Sequence, residues 1–207
     1  LPQLAPLLRK KYPDLRPSFV DGFSAAQHER VVSGDLDLAI LYSDRTIGPL
    51  PTTPLLTEDL MLVGPAGAKV RVGATADMLR DRPLILPSRP NRLRLLVDET
   101  AFTPAAPPLE VDSLPAMIAL VESGAGFTVL PYSAVADAAE RGAVQLWPLA
   151  DPPLTRTLVL VRAPERHASP AVQAVEEEIA ILISALAERM RWRALAPAPR
   201  RGHTKKA

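Results

Sequence analysis

Polar residues recur where predicted strands end, and they are the side chains best placed to hold a small ligand at one cleft. These points are Gly22-Phe23-Ser24, Tyr42-Ser43, Ser88-Arg89 and Asp112-Ser113, with Thr128 in a fifth strand close by. Each strand end leads toward a helix or a loop. Helix N-termini offer free N–H groups and the positive end of the helix dipole, which favours an anion or a carboxylate there.

Each candidate residue could bind the ligand, or it could have a purely structural role such as helix capping or core packing. The Ser24 hydroxyl could contact a ligand or cap its helix, because Ser24 and Gln27 have the spacing of a capping box. Tyr42 could pack in the core, although we favour the cleft. Arg45 and Arg89 could clamp a carboxylate, yet arginines are more often solvated in loops. Asp112 would repel an acid, and its N-cap preference favours capping its own helix.

Catalytic chemistry finds little support in the sequence. His28, His167 and His203 fall in a predicted helix, a loop and a tail, without triad or metal-ligand spacing. The absence of cysteine excludes disulfides and thiolate sites. No Walker loop or nucleophile elbow is found. We therefore predict no catalytic residue, no metal and no cofactor.

Strands and helices alternate along the chain, which predicts an α/β fold with largely parallel sheets. "LDLAILY" is a nearly continuous apolar strand, and "LRPSFV", with Pro17, is predicted as a sheet edge. The pattern restarts at "PLILP". This restart predicts a first lobe at residues 1–72 plus 155–191 and a second lobe at residues 81–149, followed by a disordered basic tail at residues 192–207.

Two glycines separate a helix from a strand in "MIALVESGAGFTVLP", residues 117–131. Gly124 is expected to end the helix in the left-handed conformation, and Gly126 to let the chain turn into the strand. A dinucleotide fingerprint needs a strand before its glycines and a helix after them, so the reversed order excludes it. The strand ends at Pro131, beside the next helix, where α/β folds place ligands.

Composition narrows the class of partner. The chain has 207 residues, is 47% hydrophobic and carries a formal net charge of +1. This balance gives no field to draw the whole chain to nucleic acid or to an acidic membrane. No apolar run approaches the roughly 20 residues of a membrane span.

Three blocks carry a specific order and spacing: "YPDLRPSFVDGFSAAQHERVVSGDLDLAILYSD", "PLLTEDLMLVGP" and "LEVDSLPAMIALVESGAGFTVLP". Together they resemble the effector-binding domain of LysR-type transcriptional regulators, over about Leu4 to Met190. The resemblance implies two Rossmann-like lobes of the type 2 periplasmic-binding-protein fold, with a small effector bound between them. The helix N-termini at the cleft make a small organic acid a candidate for that effector. The resemblance also implies a cytoplasmic regulator without enzymatic activity that forms homodimers or tetramers at full length.

The sequence also departs from this family. The family's winged helix-turn-helix is not found, so DNA is expected to be bound only through a part of the full-length regulator outside this chain. The family's first effector-domain strand, central between "LRPSFV" and "LDLAILY", is not found either, and we expect the first lobe to lack it. A free-standing solute-binding protein of a transport system is the alternative function. An enzyme on a related fold is a third, disfavoured by the missing catalytic cluster.

Overall fold

The computed structural model describes residues 2–43, 50–71, 75–100, 106–164 and 169–189. The helices of these ranges are α1 (Leu4–Lys11), α2 (Ser24–Val32), α3 (Thr75–Arg80), α4 (Arg92–Asp98), α5 (Leu114–Glu122), α6 (Tyr132–Glu140) and α7 (Pro170–Arg189). The strands are β1 (Leu38–Ser43), β2 (Thr52–Pro65), β3 (Ile85–Leu86), β4 (Leu109–Glu110), β5 (Thr128–Pro131), β6 (Val144–Pro148) and β7 (Thr155–Arg162). The expected alternation of strands and helices is present.

The long strand β2 belongs to two groups of strands. Its residues 52–59 pair with β7, which also pairs with β1. Its residues 60–65 pair with β5 on one side and with β6 on the other. We call the part built around β1, β7 and the start of β2 the first lobe, and the part from Leu60 to Leu154 the second lobe.

The described pairs are mostly antiparallel, so the expectation of largely parallel sheets is wrong. β7 runs antiparallel to β1 and β2, and β2 runs antiparallel to β5 and β6, while β3 and β4 are parallel. The cause is the way the chain crosses between lobes. Strand β2 passes from the first lobe into the second, where it runs antiparallel to β5 and β6. Strand β7 returns the chain to the first lobe, where it runs antiparallel to β1 and to the start of β2.

Strand β7 shows why its sequence reads as an unbroken apolar run. Successive side chains of a strand point to opposite faces of the sheet. Leu158 and Leu160 pack with α1 and α7 around Leu8 on one face. Val159 and Val161 pack on the other face, in a cluster that includes residues of α2 and β1. Helices cover both faces, so both sets of side chains are apolar.

The second lobe has its own core, to which the later part of β2 contributes. Leu60, Leu62 and Val63 lie in one buried cluster with Met117 and Val129. Residues 60–65 pair and pack with strands and helices of the second lobe, while the division at residues 72 and 81 stays a prediction. The predicted tail, residues 192–207, lies outside the described residues.

The segment at residues 15–20, "LRPSFV", forms no strand, so the predicted edge strand is wrong. Phe19 and Val20 are 40% and 44% exposed. No described strand lies along the edge of β1 opposite β7, and Ile40 on β1 is 42% exposed. An edge strand with large exposed apolar residues offers backbone N–H and C=O groups to another strand. That the first lobe lacks a central strand stays a prediction.

The two glycines of the helix-to-strand junction differ in their roles. Gly124 follows α5 with a φ of 85°, the left-handed conformation predicted for a helix end. Gly126 is buried, and a Cβ there would overlap the carbonyl oxygen of Pro83. Phe127 donates its N–H to that same oxygen over 2.8 Å. Gly126 therefore permits close approach of two backbones.

Candidate interlobe effector site

The end of β1 lies beside the start of α2. The backbone N–H of Tyr42 donates to the Oγ of Ser24 over 3.1 Å. Ser24 is the first residue of α2, and the N-cap is Phe23, which provides no side-chain hydrogen bond. The predicted capping box of Ser24 and Gln27 is therefore wrong, because the serine hydroxyl is turned to β1. Ser24 and Tyr42 are thus brought together as the sequence suggested.

Gly22 has a structural reason of its own in the loop before α2. Gln27 is only 8% exposed, and its backbone N–H donates to the carbonyl oxygen of Phe23 over 3.1 Å. A Cβ at Gly22 would overlap the Nε2 of Gln27. Glycine at this position lets the Gln27 side chain lie against the loop, while Phe23 remains 39% exposed. Effector contact by Gly22 and Phe23 stays a prediction.

A buried polar cluster joins the two lobes where β2 passes between them. The Nε of Arg156, on β7, lies 3.1 Å from the Oε1 of Glu58, on β2. The Oγ of Ser133, on α6 of the second lobe, donates to the Oε2 of Glu58 over 2.7 Å. The Glu58 and Arg156 side chains are 7% and 10% exposed. Both carboxylate oxygens of Glu58 are therefore bonded, one within the first lobe and one across to the second.

Tyr42 extends this cluster toward Ser24. The Cζ of Arg156 lies 3.3 Å from the centroid of the Tyr42 ring, in a stacked cation–π contact. Burial raises the pKa of Tyr42 to about 12, an effect opposed by the charge of Arg156 and supported by that of Glu58. At neutral pH the phenol therefore keeps its proton. Its hydroxyl hydrogen-bonds with Glu58 and Ser133 of the same cluster, beside the Arg156 guanidinium.

At the edge of the second lobe, Asp112 binds Ser88. The Ser88 backbone N–H donates to Oδ1 of Asp112 over 2.9 Å, and the Ser88 hydroxyl donates to Oδ2. These two hydrogen bonds, the hydroxyl's first, hold the pKa of Asp112 below its ordinary value. The N-cap of α5 is Ser113, whose Oγ accepts from the N–H of Ala116 over 3.4 Å. The expectation that Asp112 caps its own helix is therefore wrong.

The neighbouring arginines are committed to carboxylates of their own lobe. Arg89 lies 2.8 Å from Asp98 and its side chain is 61% exposed. Arg94 is buried and bonds Asp98 over 3.0 Å and Glu110 over 2.9 Å. Burial alone would lower the pKa of Arg94, but these two carboxylates raise it above its ordinary value. Arg89 uses its Nε and one terminal nitrogen on Asp98, and effector contact by Arg89 stays a prediction.

Thr128 is placed away from the cluster. It pairs in register with Val63, whereas Pro131 at the other end of β5 pairs with Leu60 beside the crossover. Thr128 is fully buried, and no described atom hydrogen-bonds its Oγ. Ser43 lies at the end of β1, with its side chain outside the described residues, as is all of Arg45.

The sequence reasoning missed Glu58, Ser133 and Arg156. They come from three separate segments, so no local sequence spacing predicts that they meet. One signal was present: Glu58 and Arg156 are charged residues inside strands, where burial requires a partner of opposite charge. Among the described residues, no group of three or more His, Asp or Glu side chains is arranged to hold a metal ion. The arrangement of hydroxyls and one ion pair suits reversible binding of a small polar molecule.

Comparison with known proteins identifies the fold and family. A family model of the LysR substrate binding domain matches residues 1–181. The chain belongs to this family. The resemblance expected from the sequence is thereby confirmed, and the cluster around Glu58 lies at the crossover of a LysR substrate-binding domain.

The relatives of this LysR substrate-binding domain include named regulators. It is 32% identical to the nitrogen assimilation regulatory protein Nac of Escherichia coli K12, over 89% of this chain and 62% of that protein. It is 30% identical to the HTH-type transcriptional regulator BbuR of Bordetella bronchiseptica, over 92% of this chain and 60% of that protein. The chain thus spans about three fifths of the length of these curated relatives.

A solved structure establishes the fold. The reduced OxyR regulatory domain of Pseudomonas aeruginosa superposes with a TM-score of 0.72 at 23% identity, over 87% of this chain and 90% of that one. The LysR substrate-binding domain described here therefore has the type 2 periplasmic-binding-protein-like fold. No helix in its described residues is both long and apolar enough to cross a bilayer.

Proposed function

We propose that this chain is the small-molecule-sensing part of a LysR-type transcriptional regulator. The family match over residues 1–181 carries the proposal, and the relatives named as regulators support it. In the complete protein, a separate DNA-binding part would contact DNA, and the regulator would act in the cytoplasm as a homodimer or tetramer. Regulation, not catalysis, is the proposed role of this chain. A transport solute-binding function has no comparable support among the named relatives.

The proposed effector is a small organic acid bound between the lobes. Two helices that begin near the crossover, α2 and α6, have N-caps that make no side-chain hydrogen bond within the described residues, and helix N-termini favour an anion. Ser24 and Ser133 stand in the first turns of these helices, one in each lobe. Ser88 and Ser113 lie at the second-lobe edge. The hydroxyls of these four serines are the proposed further contacts to the effector.

The proposed mechanism is a population shift between two lobe arrangements. A ligand that bonds both lobes binds the closed arrangement more tightly and so increases its population. The hydrogen bond from Ser133 to Glu58 shows that one interlobe contact already exists without an effector. A change in lobe angle would then alter the geometry of an oligomer on DNA.

The first experiment is a thermal-shift screen of organic acids against the chain, followed by titration calorimetry of the best acid. Ser24→Ala should weaken that acid at least about tenfold, the effect of about 1.4 kcal/mol. Ser33→Ala is the matched control, because its hydroxyl bonds Arg30 at the opposite end of the same helix. Equal affinities for Ser24→Ala and the unsubstituted chain would place the site elsewhere.

The regulatory part of the proposal needs a separate readout. The chain fused to the DNA-binding part of a LysR-type relative should make a reporter gene respond to the acid found in the screen. A fusion that binds the acid but never changes reporter output would contradict the regulatory role.

A further inference from the structure

The Glu58 carboxylate occupies a position that is built to hold an acid. It is nearly inaccessible, and both of its oxygens accept hydrogen bonds from groups that would bind any carboxylate, the Arg156 guanidinium at 3.1 Å and the Ser133 hydroxyl at 2.7 Å. Guanidinium and hydroxyl donors are common partners of bound carboxylates. Burying such a pair gains little stability compared with apolar packing, so its position between the lobes calls for a functional explanation.

The surroundings of Arg156 leave it few alternatives to a carboxylate partner. One face of its guanidinium is covered by the Tyr42 ring at 3.3 Å, and its side chain is 10% exposed. A buried cation that loses its carboxylate without replacement leaves an uncompensated charge, which is costly. Departure of Glu58 is therefore tolerable only when another anion takes its place.

We propose that Glu58 is an internal substitute for the effector's carboxylate, and that an acid effector binds by replacing it on Arg156 and Ser133. This inference rests on the acid-binding function proposed above and names the groups that select a carboxylate. Replacement breaks the bond between Ser133 and Glu58, which joins the lobes across 75 residues of sequence. Effector binding and release of this interlobe contact are then one event. Glu58 and Arg156 become the residues that determine specificity for acids.

The competition between Glu58 and an effector carboxylate can be measured by the affinity of the chain and its variants for a simple acid. Propionate supplies the carboxylate alone, and propionamide is a neutral molecule of nearly the same shape. Glu58→Gln removes the internal charge while keeping the side-chain size, so propionate should bind this variant at least about tenfold more tightly than the unsubstituted chain. Propionamide affinity should not change. If Glu58 had only a structural role, Glu58→Gln would change the affinities for propionate and propionamide by similar amounts.

Two further variants keep the test decisive. Glu178→Gln is the control, because Glu178 is also a buried carboxylate, bonded to Lys11 and Tyr12 away from the cleft. Its propionate affinity should equal that of the unsubstituted chain. If Glu58→Gln does not fold, Glu58→Asp, whose shorter side chain weakens the internal carboxylate's hold on Arg156 and Ser133 but leaves both donors for the acid, should still tighten propionate about threefold.

The outcomes separate this inference from the proposed function. If the screen yields an acid whose binding depends on Ser24, but Glu58→Gln and Glu58→Asp bind propionate no more tightly than the unsubstituted chain, the exchange is overturned and acid sensing stands. Propionate binding that tightens equally in Glu178→Gln also overturns it. If no acid binds any variant, both proposals fail.

Discussion

The Oγ of Ser133 lies 2.7 Å from the Oε2 of Glu58, and this hydrogen bond links the first turn of α6 in the second lobe to the strand that leaves the first. It lies close to the crossover, where Leu60 of β2 pairs with Pro131 of β5. A bond beside a hinge can persist while more distant parts of the lobes change their separation. The Ser133–Glu58 bond can therefore be kept in more than one lobe arrangement, until an acid replaces Glu58 as proposed above.

Ser133→Ala should lower the free energy of unfolding by about 1 to 3 kcal/mol, because a hydrogen bond to a buried carboxylate is lost. Urea denaturation monitored by circular dichroism measures the change. Ser123→Ala is the matched control, since its hydroxyl is exposed and donates to the carbonyl of Leu120 within the end of its own helix. A loss for Ser123→Ala as large as that for Ser133→Ala would contradict the special role of the interlobe bond.

Tyr42 should make stability fall at alkaline pH. Its folded-state pKa of about 12 lies above the ordinary value of 10.0. The stabilising contribution is thus complete below pH 10 and is lost as the pH rises toward 12. The difference of two pKa units corresponds to a change of about 2 to 3 kcal/mol in the free energy of unfolding.

Urea midpoints from pH 8 to pH 12 test this linkage. Tyr42→Phe should remove the part of the alkaline decline that Tyr42 causes, so that the difference between variant and unsubstituted chain depends on pH. Tyr132→Phe, at the start of α6, serves as the comparison. A difference between Tyr42→Phe and the unsubstituted chain that stays constant over this range would refute the assignment.

The contact between α1 and α7 should respond to acid. Glu178, buried on α7, accepts hydrogen bonds from Lys11 and from the Tyr12 hydroxyl. The bond from Lys11 holds the pKa of Glu178 below its ordinary value of 4.5. Stability from this carboxylate is present above that value and is lost as the pH falls through the lowered folded-state pKa.

Glu178→Gln should therefore lower the melting temperature at pH 7 and lose less stability than the unsubstituted chain below pH 4. Melting curves between pH 3 and pH 7 measure both effects. Glu177→Gln, an exposed neighbour on the same helix, should melt like the unsubstituted chain throughout. Identical pH profiles for Glu177→Gln and Glu178→Gln would show that burial of Glu178 has no consequence.

Much of the fold was predictable because local patterns determine it. The apolar run in "LDLAILY" forms β1, and the glycine after α5 has the left-handed conformation that its position required. The strand predicted at "LRPSFV" does not form. A strand needs a neighbour for its backbone groups, and no described strand lies beside this segment. Its composition alone could not supply that information.

The site was less predictable because it is assembled from distant segments. Ser24 and Tyr42 were both named from their positions at strand ends, and a hydrogen bond joins them. Glu58 and Arg156 are 98 residues apart and meet only because β2 and β7 pair in register. The capping role assigned to Asp112 failed because Ser88, on a neighbouring loop, offers two donors to its carboxylate. Such cross-strand partners depend on the tertiary fold.

The open edge of β1 should make the chain associate. The Tyr42 N–H that bonds Ser24 points away from β7. Because backbone groups alternate between the two sides of a strand, the N–H of Ile40 points to the same side, where no described strand lies. The Ile40 side chain is 42% exposed. Lysine on an edge strand opposes edge-to-edge pairing.

Ile40→Lys should reduce concentration-dependent association, measured by light scattering, while the urea midpoint changes little. Ile181→Lys is the control, because Ile181 is 62% exposed on α7, away from this edge. If both substitutions reduce association equally, the added positive charge explains the effect, and the edge of β1 does not. A complementary test adds a strand-forming segment before residue 1 through a flexible linker. Filling the edge should raise the urea midpoint, since each added backbone hydrogen bond contributes on the order of 1 kcal/mol, and an unchanged midpoint would indicate that the edge of β1 needs no partner.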